Sequence, residues 1–170
     1  MDLLTNTYEP AIRLGFFLGI LVIMFLWEII VPRRPLTTSK IARWFSNLGL
    51  VLIDSVIVRL AFPAGLAGVA FLAQQRGWGL FNQFELSTLL KIIFSVLILD
   101  LAIYLQHILF HSVPLLWRLH MVHHSDTDID VTTGVRFHPI EILLSMGIKM
   151  VVVVLIGAPP ASVLIFEVIL

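Results

Sequence analysis

His107 and His111 stand four residues apart, and His120, His123 and His124 follow at positions i, i+3 and i+4. On a helix each spacing puts imidazoles on one face, about 6 Å apart along the axis, where they can point at one metal ion or a metal pair. Neutral imidazole is a borderline ligand that suits iron, zinc and copper. Five such donors exceed the needs of one tetrahedral zinc, so two ions account for the number better. Without metal, neutral imidazoles crowded into a low dielectric gain little. A sixth histidine, His138, precedes Pro139 in RFHP and reads equally well as the cap of a helix that has Pro139 and Glu141 in its first turn.

Two helices must position these groups. The first runs apolar through Asp100, Tyr104, His107 and His111, which form one stripe at heptad-like intervals. Ser112 and Pro114 then read as the cap and first turn of a shorter helix. On it His120, His123 and His124 share a face with Trp117, and Leu115, Leu116, Leu119 and Val122 make the opposing apolar stripe. That pattern describes an amphipathic helix lying at a membrane interface with its histidines turned inward.

Carboxylates lie nearby. Asp126, Asp128 and Asp130 suggest a calcium loop, but an EF-hand beginning at Asp126 needs glycine at 131 and glutamate at 137, where the chain has Val131 and Phe137. They read instead as groups that orient ligand histidines, or as a solvated acidic loop. Asp100 is a candidate for the same supporting role.

Composition sets the surroundings. The chain is 59% hydrophobic and 13% charged, with a mean hydropathy of +1.00, against about a quarter charged in soluble domains. The formal net charge of zero argues against a nucleic-acid partner. There is no cysteine, which removes disulfides, iron–sulfur clusters and thiolate-held zinc.

The expected fold is all-α, a polytopic membrane bundle with the histidine-rich interfacial helix on its cytoplasmic face. Apolar spans run over about 11–31, 45–72, 86–110 and 140–156, with a partial span at 161–170, and the histidine region covers 107–139. They form a single membrane domain over 1–170. The leader MDLLTNTYEP carries Asp2 and Glu9 and lacks the basic region of a cleavable signal. Arg33, Arg34, Lys40 and Arg43 follow the first span, while Arg76 stands alone after the second. The positive-inside rule then puts the histidines on the cytoplasmic side, provided 45–72 crosses once despite Pro63. Asp54, Arg59, Asp100 and Lys149 fall within spans, where a charge costs about 2.5–3.5 kcal/mol at mid-helix, so Asp100 is expected to pair with Lys149 or Arg59. Gly15 and Gly19 have a spacing that permits close helix approach and a homo-oligomer through membrane helices.

The succession HILFH, WRLHMVHHSD and GVRFHP followed by Glu141 resembles the fatty acid hydroxylase and sterol desaturase superfamily of integral membrane di-iron oxygenases. The resemblance covers about Asp100 to Glu141. It implies that His107, His111, His120, His123 and His124 are iron ligands, with His138 a ligand or near neighbour. It also implies two irons, O2 as co-substrate, a membrane lipid as substrate, and hydroxylation or desaturation of a C–H bond. The chain has no nucleotide fingerprint for a reductase, so a separate electron-donor protein is expected. The membrane would be a bacterial inner membrane, or the endoplasmic reticulum in a eukaryote. The family carries a further histidine box after another membrane segment, whereas no histidine follows His138, and ASVLIFEVIL makes only about 15 Å of helix. The expectation is a fragment, or a short form inactive alone.

Three other classes compete. A metal transporter would place ligands near the midplane on broken helices. A bis-histidine haem protein would use His107 with His120 and leave the other histidines surplus. A scaffold or pseudoenzyme would keep the fold without the chemistry. Metal content separates them.

Overall fold

The computed structural model describes residues 2–33 and 35–170, and of residues 2–7 and 9 the backbone alone. Arg34, counted above for orientation, and the side chains of Asp2 and Glu9, counted against a signal, lie outside the described residues. The described chain is all helical, with no strand: α1 (Asp2–Ile30), α2 (Lys40–Ala61), α3 (Gly65–Gln75), α4 (Leu80–Gln83), α5 (Thr88–Ser112), α6 (Pro114–His124), α7 (Pro139–Ile156) and α8 (Pro160–Ile169). Four stretches are long and apolar enough to cross a membrane: Pro10–Ile30, Lys40–Gln83, Thr88–Ser112 and Pro139–Ile156. Large apolar side chains such as Trp27, Ile30, Leu60 and Leu105 are exposed on the outside, as lipid-facing surfaces require. The chain is an integral membrane helical bundle.

Helix ends follow local chemistry. Ser87 accepts a bond from Leu90 N at 3.4 Å to start α5, which then runs without glycine or proline to Ser112. Pro139 takes the first position of α7, and Gly157 ends it in the left-handed region at φ 69°. The expected cap at Ser112 is not seen. Ser112 closes α5, its hydroxyl donating to Ile108 O at 2.7 Å, and Val113 holds the cap position of α6 without a side-chain bond. A serine hydroxyl that bonds back to the carbonyl one turn before it has nothing left to cap the next helix. The first helix, α1, begins at Asp2 and includes Pro10.

The 45–72 span is two helices. Pro63 lacks a donor and crowds the turn before it, so α2 ends at Ala61 and α3 restarts at Gly65, at φ 62°. The two pieces nevertheless follow α7 in order. Asp54 lies in the field of His138 and Glu141, Leu66 shares the core with Met146, and Gly79 meets the backbone of Gly157. This is a kinked path along α7 and not a hairpin.

The core is formed by Leu66, Ala67 and Ala70 of α3, Leu99 of α5, Met146 and Val153 of α7, and Val163 and Phe166 of α8. Small residues on α3 let the backbones approach, which is how membrane helices gain contact without a hydrophobic driving force. After Gly157, α8 turns back against α3 and α5, so that Glu167 reaches Arg13 of α1 at 3.2 Å. Lys149 lies in the field of Glu167, not of Asp100.

Candidate metal centre

α5 and α6 meet at Val113 and Pro114, and that sharp junction brings the last turns of α5 against α6. His107, His111, His120 and His124 each point one ring nitrogen inward, all four within 4.8 Å of one another. The Nε2 atoms of His107 and His111 are 3.1 Å apart, and Nε2 of His124 is 3.2 Å from Nε2 of both His111 and His120. A ring nitrogen has one in-plane direction, for either an N–H or a lone pair. His111 and His124 each face two such neighbours, so hydrogen bonds alone serve the group poorly, whereas a cation among them would use every lone pair. First-row metals bind imidazole at about 2.0–2.1 Å, which places tetrahedral ligand nitrogens about 3.3 Å apart. The donor set fits a metal ion.

One partner fixes this arrangement. His120 is 1% exposed, and its Nδ1 lies 2.6 Å from Oε1 of Glu141 on the first turn of α7. With the proton on Nδ1 facing the carboxylate, Nε2 presents its lone pair to the cluster, as in carboxylate–histidine–metal triads. Burial, then the neighbouring imidazoles of His124 and His111, push His120 down to about 4. The ring is therefore neutral, the form a metal needs. Trp117 packs over His111 and His124, with ring centroids 5.1 and 5.6 Å away. His107, His111 and His124 stay exposed, so the cluster is open on that side.

Of the remaining candidates, His123 lies beside the cluster, its ring 5.4 and 5.0 Å from those of His120 and His124, and the others lie apart from it. His123 stacks on Phe137 at 4.7 Å, and its Nδ1 is 3.2 Å from the carbonyl of Arg136. Burial lowers its pKa, against the pull of that carbonyl. His138 caps α7, its Nδ1 accepting from Ile140 N at 3.1 Å. Asp100 is exposed on α5 and makes no hydrogen bond or ion pair with a described residue; the expected pairing with Lys149 or Arg59 does not form.

The three loop aspartates bond to α2 and the segment before it, and none bonds to a histidine. Arg43 Nε and Nη2 donate to the two oxygens of Asp126 at 2.7 and 2.8 Å, and Asn47 and Thr133 add bonds to Oδ2. Burial works against the charge of Asp126, but Arg43, Thr133 and Asn47 outweigh it and hold the carboxyl at about 2. Asp128 accepts from the backbone N–H and hydroxyl of both Thr37 and Thr38, and Asp130 accepts the indole N–H of Trp44 at 3.1 Å. Arg136 ties the loop back to α6 and α2 through Val122 O at 2.9 Å and Asn47 Oδ1 at 2.9 Å. Arg43 is thus a buried pairing group instead of a free loop charge. Glu141, Asn47 and Arg136 were missed as supporting residues; Glu141 following RFHP was the available signal, read above only as a helix-start acid.

A polytopic α-helical membrane protein with a cluster of histidines able to hold a metal ion where two helices meet is the class that the fold and site define. Residues 92–170 match the family model described as fatty acid hydroxylase. The ornithine lipid hydroxylase OlsE of Rhizobium tropici is 26% identical over 152 residues, which are 84% of this chain and 45% of that protein. The chain therefore spans about half the length of the curated relative it matches. No solved structure matches it.

Proposed function

We propose that the chain acts in the O2-dependent hydroxylation of a membrane lipid, with His107, His111, His120 and His124 holding iron. The observation that carries this reading is the convergence of four Nε2 atoms with Glu141 fixing the tautomer of His120. Iron bound there supplies O2 activation and C–H oxidation, which imidazoles alone do not. The protein's own groups do the rest. Glu141 holds the proton on His120 Nδ1, Trp117 shields one side of the cluster, and the exposed side leaves room for a lipid chain to approach. The second iron implied by the family needs ligands beyond these four; His123, whose Nε2 makes no hydrogen bond with a described residue, lies beside them. Electrons come from a separate donor protein, and the histidine side faces the cytoplasm. The similarity to an ornithine lipid hydroxylase makes a lipid with an amino-acid head the first substrate to try.

The test is metal analysis of detergent-purified chain beside His124→Ala and His138→Ala, followed by an assay on ornithine lipid with O2 and a reductant. Iron in the parent and in His138→Ala, with at least a tenfold loss in His124→Ala, is the expected result, in keeping with about 1.4 kcal/mol or more per lost ligand. Zinc alone, or equal iron in all three, would sink the redox reading and leave a metal-binding scaffold.

A further inference from the structure

Away from the histidine cluster lies an open cavity of about 480 Å³, bordered by α1, α2, α3 and α7 and by the segment before α7. Its lining mixes apolar and charged side chains. Phe62, Leu66 and Met146 are apolar, and Leu66 and Met146 belong to the core. Asp54 and Arg59 of α2 and Arg13 of α1 also line it.

Asp54 is 6% exposed, and its Oδ1 is buried without a hydrogen-bond partner. A buried carboxylate oxygen left unpaired is costly, so such a group marks a place where a donor is missing. Arg59 lies one and a half turns further along α2, is exposed, and forms no ion pair with a described residue. Arg13 is already engaged by Glu167. The cavity thus offers one acceptor and one cation among apolar walls. Depth agrees with this. Asp54 is level with His138 and Glu141, at the start of the α7 span, where lipid head groups meet hydrocarbon.

We propose that this cavity binds the head of a zwitterionic lipid, with Asp54 accepting from a primary ammonium, Arg59 pairing with the adjacent anion, and the first part of a chain lying along Phe62, Leu66 and Met146. Phe137 forms one wall, and its ring stacks on His123. The head would therefore sit behind the histidine-bearing layer. A quaternary ammonium has no N–H to give Asp54, and a head without an ammonium leaves it unpaired. The assignment deepens the lipid-hydroxylase reading and rests on it for calling the bound lipid a substrate; binding itself is read without turnover.

The experiment is native mass spectrometry of the purified chain released from nanodiscs, with phosphatidylethanolamine and phosphatidylcholine of identical chains present in equal amounts. Parent protein retains phosphatidylethanolamine over phosphatidylcholine by about tenfold, the equivalent of one good charge-assisted bond at about 1.4 kcal/mol. Asp54→Asn, which keeps the volume, removes that preference. Arg59→Gln, on an exposed position, weakens both lipids alike, because both carry the phosphate. Equal retention by the parent, or a preference unchanged in Asp54→Asn, would overturn the proposal. Displacement by free phosphoethanolamine at the lipid's own concentration would overturn its lipid part, in favour of a small zwitterion. Metal content measured on the same samples separates the two claims. Lost preference with metal retained rejects this cavity alone, and absent metal with preference intact rejects the iron reading alone.

Discussion

At the scale of single residues, the pairs at four-residue spacing were legible because a helix repeats every 3.6 residues, whatever lies around it. His107 with His111 and His120 with His124 obey that rule. The adjacent His123 is turned about 100° away by the same geometry, and its place on Phe137 depends on a loop residue 14 positions later, which no local pattern shows. Glu141 was misread for the same reason, since its partner His120 lies 21 residues back. Removing a carboxylate that orients a ligand histidine costs about 10–100-fold in metal affinity. Glu141→Gln is therefore expected to raise the Kd for Fe(II) by that factor, read by competition with a chromophoric chelator, while helicity stays at the parent value. An unchanged Kd would make the His120 contact incidental.

Helix positions were largely readable from runs of apolar residues, but the element that holds the site in place was not. The loop between α6 and α7 is secured by Asp126, Asp128 and Asp130 to partners about 80–90 residues earlier, and a sequence shows acids there without showing the arginine or threonines that face them. Pro63 announced a break, whereas the continuity of α2 and α3 along α7 needed tertiary packing to appear. A consequence concerns acid. Burial opposes the charge of Asp128, but the Thr38 and Thr37 donors prevail and hold its carboxyl below the usual range. A depressed folded pKa stabilises fully above the unfolded value of about 3.9 and is lost as pH falls through the lower folded value. Hydrogen-exchange protection factors at Thr37 and Thr38 should thus be flat from pH 7 to about 5 and drop below about 4. In Asp128→Asn the drop should vanish. The junction of Gly79 with Gly157 is equally local to these elements. A Cβ at Gly79 would fall on the Gly157 backbone at a φ of 88°, so Gly79→Ala should destabilise by about 1–3 kcal/mol in urea or detergent titration.

For the whole molecule, membrane residence followed from composition, while sidedness depended on a few loop charges. Lys40 bonds Glu28 at 3.0 Å and Arg43 is buried against Asp126, so both are partly neutralised. The absence of cysteine makes the question easy to put. Ile129, 78% exposed in the acidic loop, replaced by cysteine should react with a membrane-impermeant maleimide in inverted vesicles and not in intact cells or spheroplasts. The opposite pattern would reverse the proposed orientation. The histidine cluster has a last consequence at this scale. Its four histidines come in pairs from either side of Val113 and Pro114, so an ion held there would fasten α6 to α5 and, through Glu141, to α7. A ligand present at a hundred times its Kd adds about 2.7 kcal/mol of stability, roughly a hundredfold in the share of chain that is unfolded at any moment. With iron bound as proposed, a chain starved of it would be delivered to membrane proteases instead of waiting idle, and its half-life would become a gauge of the cell's iron supply.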